Sequence, residues 1–485
     1  MLKNFIDYHS AFKDKNVENN LCSDINTAEL FFELHRHCIC YIKESRSWYI
    51  YDGQRWLKDD GGFVMELCKD FVRTLVKYAQ SLVVDIFEEL KKNKKNAGNA
   101  EEDNQEFLGF YAYVKEFHKR SRRTSLIADA SSIAPRSLND FDKNPLLFNC
   151  QNGTFDLNTM TFRQYDSNDF LTKLANVQYD KNAICDRWIR FIDEVMCGDK
   201  ENARFTQKAF GYSLSGLTML ECMFILYGPK TRNGKSTMTE TIAELFDEYA
   251  MTIQPQSLAK RNTNGAAPSP DIAKLKGARF VNVPEPAKGM EFDSAFVKQL
   301  TGGDAVTGRL LFQNPIEFRP EFKIFMNTNH LPKISDKTIL TSGRIKVIPF
   351  ERHFLPDEQD HGLKQELRKP ENLSGILNWL IEGYRMMQSE GLTIPEKISD
   401  ATDDYQNNAT ADIETFFGEN LVVSETDRDR VKTSELYERY KVWAKDNDII
   451  AMRIQDMIAE LRHFKYIINR DGTKGNQLVG VKLKV

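Results

Sequence analysis

The chain has 485 residues, 41% of them hydrophobic and 28% charged, with a formal net charge of −4. It is too long for a single core, which points to roughly two to four domains, and no apolar run approaches the ~20 residues of a membrane helix. Net acidity excludes a general attraction for phosphate, so any nucleic-acid contact must come from local basic surface. Nothing resembles a signal peptide. Eight cysteines, scattered from Cys22 to Cys222, form no disulfide framework. A cytoplasmic protein with no membrane partner is expected.

In chain order, "WYIYDGQRWLKDDGG" (Trp48 to Gly62) reads as two aromatic-rich strands around Asp52-Gly53, a hairpin signal. Trp48, Tyr49, Tyr51 and Trp56 there read as a small core. Helical spacing continues to about Leu90, and the charged, small-residue stretch from Lys91 to Gln105 reads as a flexible linker. A second helical block carries "KRSRR" (Lys119 to Arg123), read as a solvated helix end. "LLFNCQNGTFDLNT" then offers another hairpin, turning at Asn152-Gly153. "HRHCIC" (His35 to Cys40) has metal-capable side chains at a spacing that matches no zinc site, and reads as packing. The implied divisions are 1–90, a linker at 91–105, 106–199, a nucleotide core at 200–355, a helical extension and linker at 356–412, and a final domain at 413–485.

The strongest local signal is "ILYGPKTRNGKSTMTETI", Ile225 to Ile242. The apolar run Met223 to Tyr227 reads as a buried strand, followed by a Gly-rich turn and an amphipathic run to Ala250. In such a strand-loop-helix the backbone amides face phosphate oxygens, a lysine reaches the β- and γ-phosphates, and the next hydroxyl ligates Mg²⁺. Lys235 and Ser236 fit those two roles, with Gly228, Pro229, Arg232, Asn233, Gly234 and Thr237 completing the loop. Pro229 stands where the usual pattern has Gly, so the loop is one residue longer. ATP and Mg²⁺ are the cofactors this implies.

Three later strands end or begin in polar residues. Phe280 to Val283 leads to Glu285, placed to orient water or serve the Mg²⁺ shell. Lys323 to Met326 leads to Asn329, at the strand end where open α/β sheets bind ligands. Arg344 precedes the third strand and is placed to enter a neighbouring subunit's site. Between the first two lies Phe296 to Pro320, punctuated by Gly302-Gly303 and Asn314-Pro315, where Lys298, Arg309 and the nearby Lys323 supply positive charge for single-stranded DNA. At the C-terminus, Thr433 to Lys445 and Met452 to His463 read as two helices followed by two strands, a winged-helix outline. Arg453, Gln455 and Arg462 would face the major groove, with Arg470 and Lys474 on phosphate, if that domain docks DNA and not protein.

The order "GPKTRNGKST", "RFVNVPEP", "KQLTGGDAVTGR", "FMNTNHLP", "GRIKVIPF" resembles the superfamily III helicases of phages, plasmids, pathogenicity islands and large DNA viruses, particularly the poxvirus-type helicase-primase branch. "WYIYDGQRW" and "LLFNCQNGTFDLNT" resemble the domain that precedes the motor there. The resemblance implies an AAA+ P-loop core, with Lys235 and Ser236 in Walker A, Glu285 as the Walker B acid, Asn329 as sensor and Arg344 as an arginine finger given in trans. Glu285 is followed by Pro286, so no second acid sits beside it. It also implies a hexamer translocating 3′ to 5′ on single-stranded DNA, with the DNA-contacting hairpin at Phe296 to Pro320.

The expected fold is α/β, with an α+β N-terminal domain before the ATPase core. The expected function is ATP-dependent DNA unwinding in replication initiation of a mobile element, acting on single-stranded and origin DNA with a primase or host replication proteins as partners. No acidic metal cluster suited to polymerisation is apparent, so priming by this chain is not expected. A P-loop phosphotransferase and a non-catalytic DNA-binding scaffold are the alternatives.

Overall fold

A computed structural model of the chain describes residues 7–15, 17, 23–92, 97–260, 270–309, 315–334, 336, 338–424, 426, 428–446, 451–471 and 475–484. The architecture is mixed α/β, in two units, Met1–Ala175 and Asn176–Val485. Only the longer helices are numbered below. None of them is long and apolar enough to cross a membrane among the described residues.

In the first unit, α1 (Tyr8–Asp14) and α2 (Asp24–His35) lead into a three-stranded antiparallel sheet, β1 (Ile39–Ile42), β2 (Ser47–Tyr51) and β3 (Trp56–Lys58). Helices α3 (Phe63–Lys92), α4 (Ala97–Lys115) and α5 (Arg120–Ala130) follow. The meander β4 (Leu147–Cys150), β5 (Gly153–Asp156), β6 (Thr161–Arg163) closes the unit. Phe12, Phe31, Phe71, Phe110 and Phe117 form its core. Both expected hairpins are present, though the second turns at Gln151-Asn152, one residue earlier than read, because Cys150 already pairs with Gly153.

The packing readings hold. His35 is buried, bonded through Nδ1 to the Phe31 carbonyl and through Nε2 to the Tyr8 hydroxyl, and burial pushes its pKa down to about 4. Burial likewise pushes the Cys38 and Cys40 thiols up to about 12. Trp56 is buried against Phe170, its Nε1 donating to the Ser167 carbonyl. "KRSRR" is less solvated than read: Lys119 and Arg120 are exposed, but Arg122 pairs with Asp24 and lies over the Phe117 ring, and Arg123 donates to the Phe117 and His118 carbonyls. The supposed linker differs from expectation. Lys91 and Lys92 end α3, and 97–105 begin α4, so the low hydrophobicity of this stretch does not prevent helix.

The second unit is built on a parallel five-stranded sheet: β7 (Met223–Tyr227), β8 (Ala250–Thr252), β9 (Phe280–Val283), β12 (Lys323–Thr328) and β13 (Ile345–Pro349). Its spatial order is β13-β7-β12-β9-β8, with the antiparallel pair β10 (Val306–Gly308) and β11 (Ile316–Phe318) inserted between β9 and β12. Helices α6 (Asp186–Val195), α7 (Lys200–Tyr212), α8 (Lys235–Phe246) and α9 (Ser294–Thr301) accompany these strands. Phe280 and Phe325 share one sheet face by their period of two, meeting Phe246 of α8 and Phe210 of α7 there.

Two long helices follow, α10 (Pro370–Glu390) and α11 (Glu396–Asn420). The polar stretch from Asp400 to Asp412, read as part of a linker, lies inside α11. Its few apolar residues, Ile398 and Tyr405, then Ile413, Phe416 and Phe417, recur at helical spacing and are buried. Thr402 of this helix accepts from the Val347 amide, satisfying an edge strand that has no further sheet neighbour. The last region contains β14 (Leu421–Val423), β15 (Arg430–Lys432), α12 (Thr433–Asp446), α13 (Ile454–His463), β16 (Ile467–Asp471), β17 (Gly475–Val479) and β18 (Val481–Leu483). The sheet β15-β17-β16 and both helices close over Leu436, Tyr440, Met457, Leu461 and Leu478.

Helix α10 reaches α7 at backbone contact. A Cβ at Gly383 would lie 2.2 Å from the Gln207 carbonyl oxygen, a main-chain atom that cannot rotate away. Gly383→Ala is therefore predicted to cost about 1–3 kcal/mol, seen as a lower urea midpoint. A wild-type midpoint would contradict backbone-to-backbone packing.

Candidate nucleotide-binding site

The site begins with burial. Met223 to Leu226 of β7 are fully buried, so the strand is fixed and the chain emerges at Gly228 from the C-terminal edge of the sheet. The loop that follows turns through two left-handed residues, Arg232 (φ 58°) and Gly234 (φ 89°), before α8 starts at Lys235. Gly234 has a second reason to lack a side chain: a Cβ there would lie 2.4 Å from Val195 of α6. The segment after β13 braces the loop from outside, since the Phe354 amide donates to the Arg232 carbonyl and His353 Nδ1 meets the Thr231 carbonyl. No side chain caps the first turn of α8, so its amides and the helix dipole favour an anion.

Lys235 is the centre of the site. It is 5% exposed, and its ammonium donates to Asn329 Oδ1 at 2.8 Å, Asn233 Oδ1 at 3.1 Å and the Gly228 carbonyl at 3.4 Å. Asn329 in turn donates to both oxygens of Glu285, from its backbone amide at 3.1 Å and from Nδ2 at 2.9 Å. Thus a lysine after β7, an acid after β9 and an amide after β12 form one hydrogen-bonded chain across three adjacent strand ends. Burial pushes the Lys235 pKa down to about 8, with the Glu285 charge opposing the shift.

These groups line a cleft of about 290 Å³ whose walls also include Thr231, Arg232, Asn233, Ser236, Asn282 and Asn327. An uncapped helix N-terminus, a buried ammonium, an exposed Ser236 hydroxyl and a carboxylate suit a polyphosphate with a hard cation. The fit to a hydrated cation has a second sign: Asn327 Oδ1 is buried with no hydrogen-bond partner. Sequence reading found Lys235, Ser236, Glu285 and Asn329, but missed Asn282, Asn327, and the brace at His353 and Phe354.

A family model described as "D5 N terminal like" matches residues 28–197, and one described as "Family of unknown function (DUF5906)" matches 226–344, which contain the whole cleft. "Putative helicase L207/L206" of Acanthamoeba polyphaga mimivirus is 24% identical over 87% of this chain and 45% of its own length. "Putative helicase 121R" of Invertebrate iridescent virus 3 is 29% identical over 62% of this chain and 35% of its own. "Primase D5" of Fowlpox virus (strain NVSL) is 24% identical over 51% and 35%. These matches support membership of the superfamily III helicase-primase family. It spans less than half the length of these curated relatives. A solved structure described as the A form apo structure of the NrS-1 C terminal region is similar at 10% identity and a TM-score of 0.44, over 95% of this chain and 100% of that one.

The remaining family positions lie away from the cleft. Arg344 precedes β13, whose first residue pairs with the first of β7, so it stands at the opposite sheet edge from Lys235. There it pairs with Glu221 at 2.6 Å and donates to the Lys298 carbonyl and Thr301 Oγ1 of α9, both at 3.1 Å. Lys298 is itself paired with Asp336 at 2.7 Å. Arg309 is exposed directly after β10, where the chain enters 310–314, outside the described residues. Lys323 corrects the sequence reading. It is 1% exposed, donates to the Ser215 carbonyl and lies 4.2 Å from the Tyr212 ring centroid, and burial with nearby Arg279 holds it well below the usual lysine range. A DNA contact is sterically closed to it. In the C-terminal domain Gln455, Arg462 and Arg470 are exposed, Arg453 pairs with Asp456 at 2.8 Å, and Lys474 lies outside the described residues.

The depressed Lys235 pKa has a signed consequence. Above pH 8 the amine is largely neutral, whereas a bound triphosphate favours the ammonium and raises its pKa, so binding takes up a proton and weakens as pH rises through 8. At pH 8.5, ATP binding is predicted to take up a fraction of a proton, measured by calorimetry in buffers of different ionisation enthalpy. Lys235→Ala abolishes the uptake; equal heats in all buffers for the wild type would contradict it.

Proposed function

We propose that the chain is an ATP-dependent DNA helicase that works as a hexameric ring, translocating 3′ to 5′ on single-stranded DNA for replication initiation and fork unwinding of a phage, plasmid or genomic-island element. The observation that carries the reading is the bonded chain Lys235–Asn329–Glu285 on three parallel strand ends. The strand order supports an AAA+ core, because the phosphate-loop strand β7 sits between the strands of Arg344 and Asn329. The helicase and primase names of the relatives agree with work in replication.

In this reading Lys235 leaves Asn329 and Asn233 to hold the β- and γ-phosphates, and the α8 amides take up the remaining oxygens. Mg²⁺ held through Ser236 and Glu285 neutralises developing charge when bound. Glu285, aimed by the two Asn329 donors, orients the attacking water. Asn329, once free of Lys235, reads the γ-phosphate. Arg344 stands too far from its own Lys235, across the length of the sheet, and serves the neighbour's site after release from Glu221. That release also frees Lys298 and Thr301 of α9, the helix leading into the β10–β11 hairpin, so hydrolysis in one subunit is passed to the DNA-contacting Arg309 region of the next. The order of β15, α12, α13, β16 and β17 supports a winged helix with Gln455, Arg462 and Arg470 facing origin DNA. Primer synthesis is not assigned to this chain; primers made by the purified protein would refute that.

The test is ATP hydrolysis with and without single-stranded DNA. The wild type is predicted to be stimulated. Lys235→Ala loses about 10²–10³-fold in turnover and Arg344→Ala about 10³-fold or more, and mixing the two mutants restores part of the rate. A phosphotransferase would ignore DNA, a scaffold would hydrolyse nothing, and a fully active Arg344→Ala would remove the trans finger.

A further inference from the structure

The family pattern leaves one chemical role unfilled, since no second acid stands beside Glu285. Two asparagines line the same cleft as Glu285. Asn282 on β9 and Asn327 on β12 share a sheet face with Phe280 and Phe325, the face that meets α8. Both asparagines line the nucleotide cleft. Asn327 is 6% exposed, and its Nδ2 donates to Asn282 Oδ1 at 2.9 Å and to Thr239 Oγ1 at 3.0 Å, one helical turn after Ser236. Thr239 passes its own proton to the Lys235 carbonyl. Within this knot Asn327 Oδ1 is buried without a donor.

A buried acceptor with no donor is costly to keep, so its retention beside the cleft asks what donor arrives. The polyphosphate offers oxygen acceptors, and the Lys235 protons are already directed elsewhere. Water on a divalent cation is a strong donor, and Mg²⁺ keeps several of its waters when it binds beside phosphate.

We propose that Asn327, oriented by Asn282 and Thr239, is a positioning residue that accepts a hydrogen bond from a water of the Mg²⁺ hydration shell and so replaces the missing acid. This rests on the reading of the cleft as an Mg²⁺–ATP site. The readout is binding: the factor by which Mg²⁺ tightens ATP, measured with a fluorescent ATP analogue in Mg²⁺ and in EDTA.

Loss of an outer-shell partner typically costs about 10–100-fold in metal affinity. Asn327→Ala is expected to shrink the Mg²⁺ factor by about tenfold or more while leaving affinity in EDTA unchanged. Asn327→Asp keeps an acceptor oxygen, with the Asn282 amide and the Thr239 hydroxyl able to turn and donate to it, and is expected to preserve or enlarge the factor. An unchanged factor in Asn327→Ala, or an equal loss in Mg²⁺ and EDTA, overturns the proposal. Should Asn327→Ala fail to fold, Asn327→Asp decides alone, a smaller factor than wild type being the contrary result. If the wild type binds no ATP analogue in either condition, or Lys235→Ala binds as tightly, the nucleotide reading itself fails and takes this proposal with it.

Discussion

A buried ammonium at the end of a buried strand governs this structure. Lys235 has surrendered most of its hydration, and three protein oxygens replace it, from Gly228, Asn233 and Asn329. Those oxygens come from both ends of the phosphate loop and from a strand about a hundred residues later in the chain. The ammonium is thus stable only when β7 and β12 lie side by side in register, as they do from Phe224–Phe325 to Tyr227–Thr328. The cost of burying the charge is offset only if the sheet is correctly assembled.

The same constraint sets what the rest of the second unit must do. Gly234 has to pass over Val195, so α6 must carry a small gap at its C-terminal end, and the segment at 353–354 has to brace the loop from the other side. The close approach of α7 and α10 fixes the helical layer on which β7 and β12 rest. Arg344 is held by Glu221 and by two groups of α9, at the sheet edge opposite Lys235.

What the sequence made legible was local. Met223 to Tyr227 and Phe280 to Val283 were read with their observed bounds because short, mostly apolar runs ended by Gly228 and Pro284 suit buried strands. The polar residues just past those strands followed from the rule that parallel sheets act at their C-terminal edge. The failures were tertiary. Lys323 has the look of an exposed cation beside a hairpin, but its partners are the Ser215 carbonyl and the Tyr212 ring, more than a hundred residues earlier. Asp400 to Asp412 looks like a linker because the residues that fix α11 are few and widely spaced. Asn282 and Asn327 carry no signal alone; their meaning appears when two strands become neighbours and one acceptor is left without a donor. The Lys91 to Gln105 stretch misled differently, since low hydrophobicity argues against a core but not against a helix.

The account stands or falls on whether the cleft drives movement along DNA. The direct measurement is displacement of a labelled strand from a forked duplex, with tails of either polarity, by the wild type and by Glu285→Gln. The account predicts ATP-dependent displacement from a 3′-tailed fork by the wild type, with Glu285→Gln retaining ATP binding and displacing nothing. Hydrolysis of ATP by the wild type without displacement on any fork would contradict it.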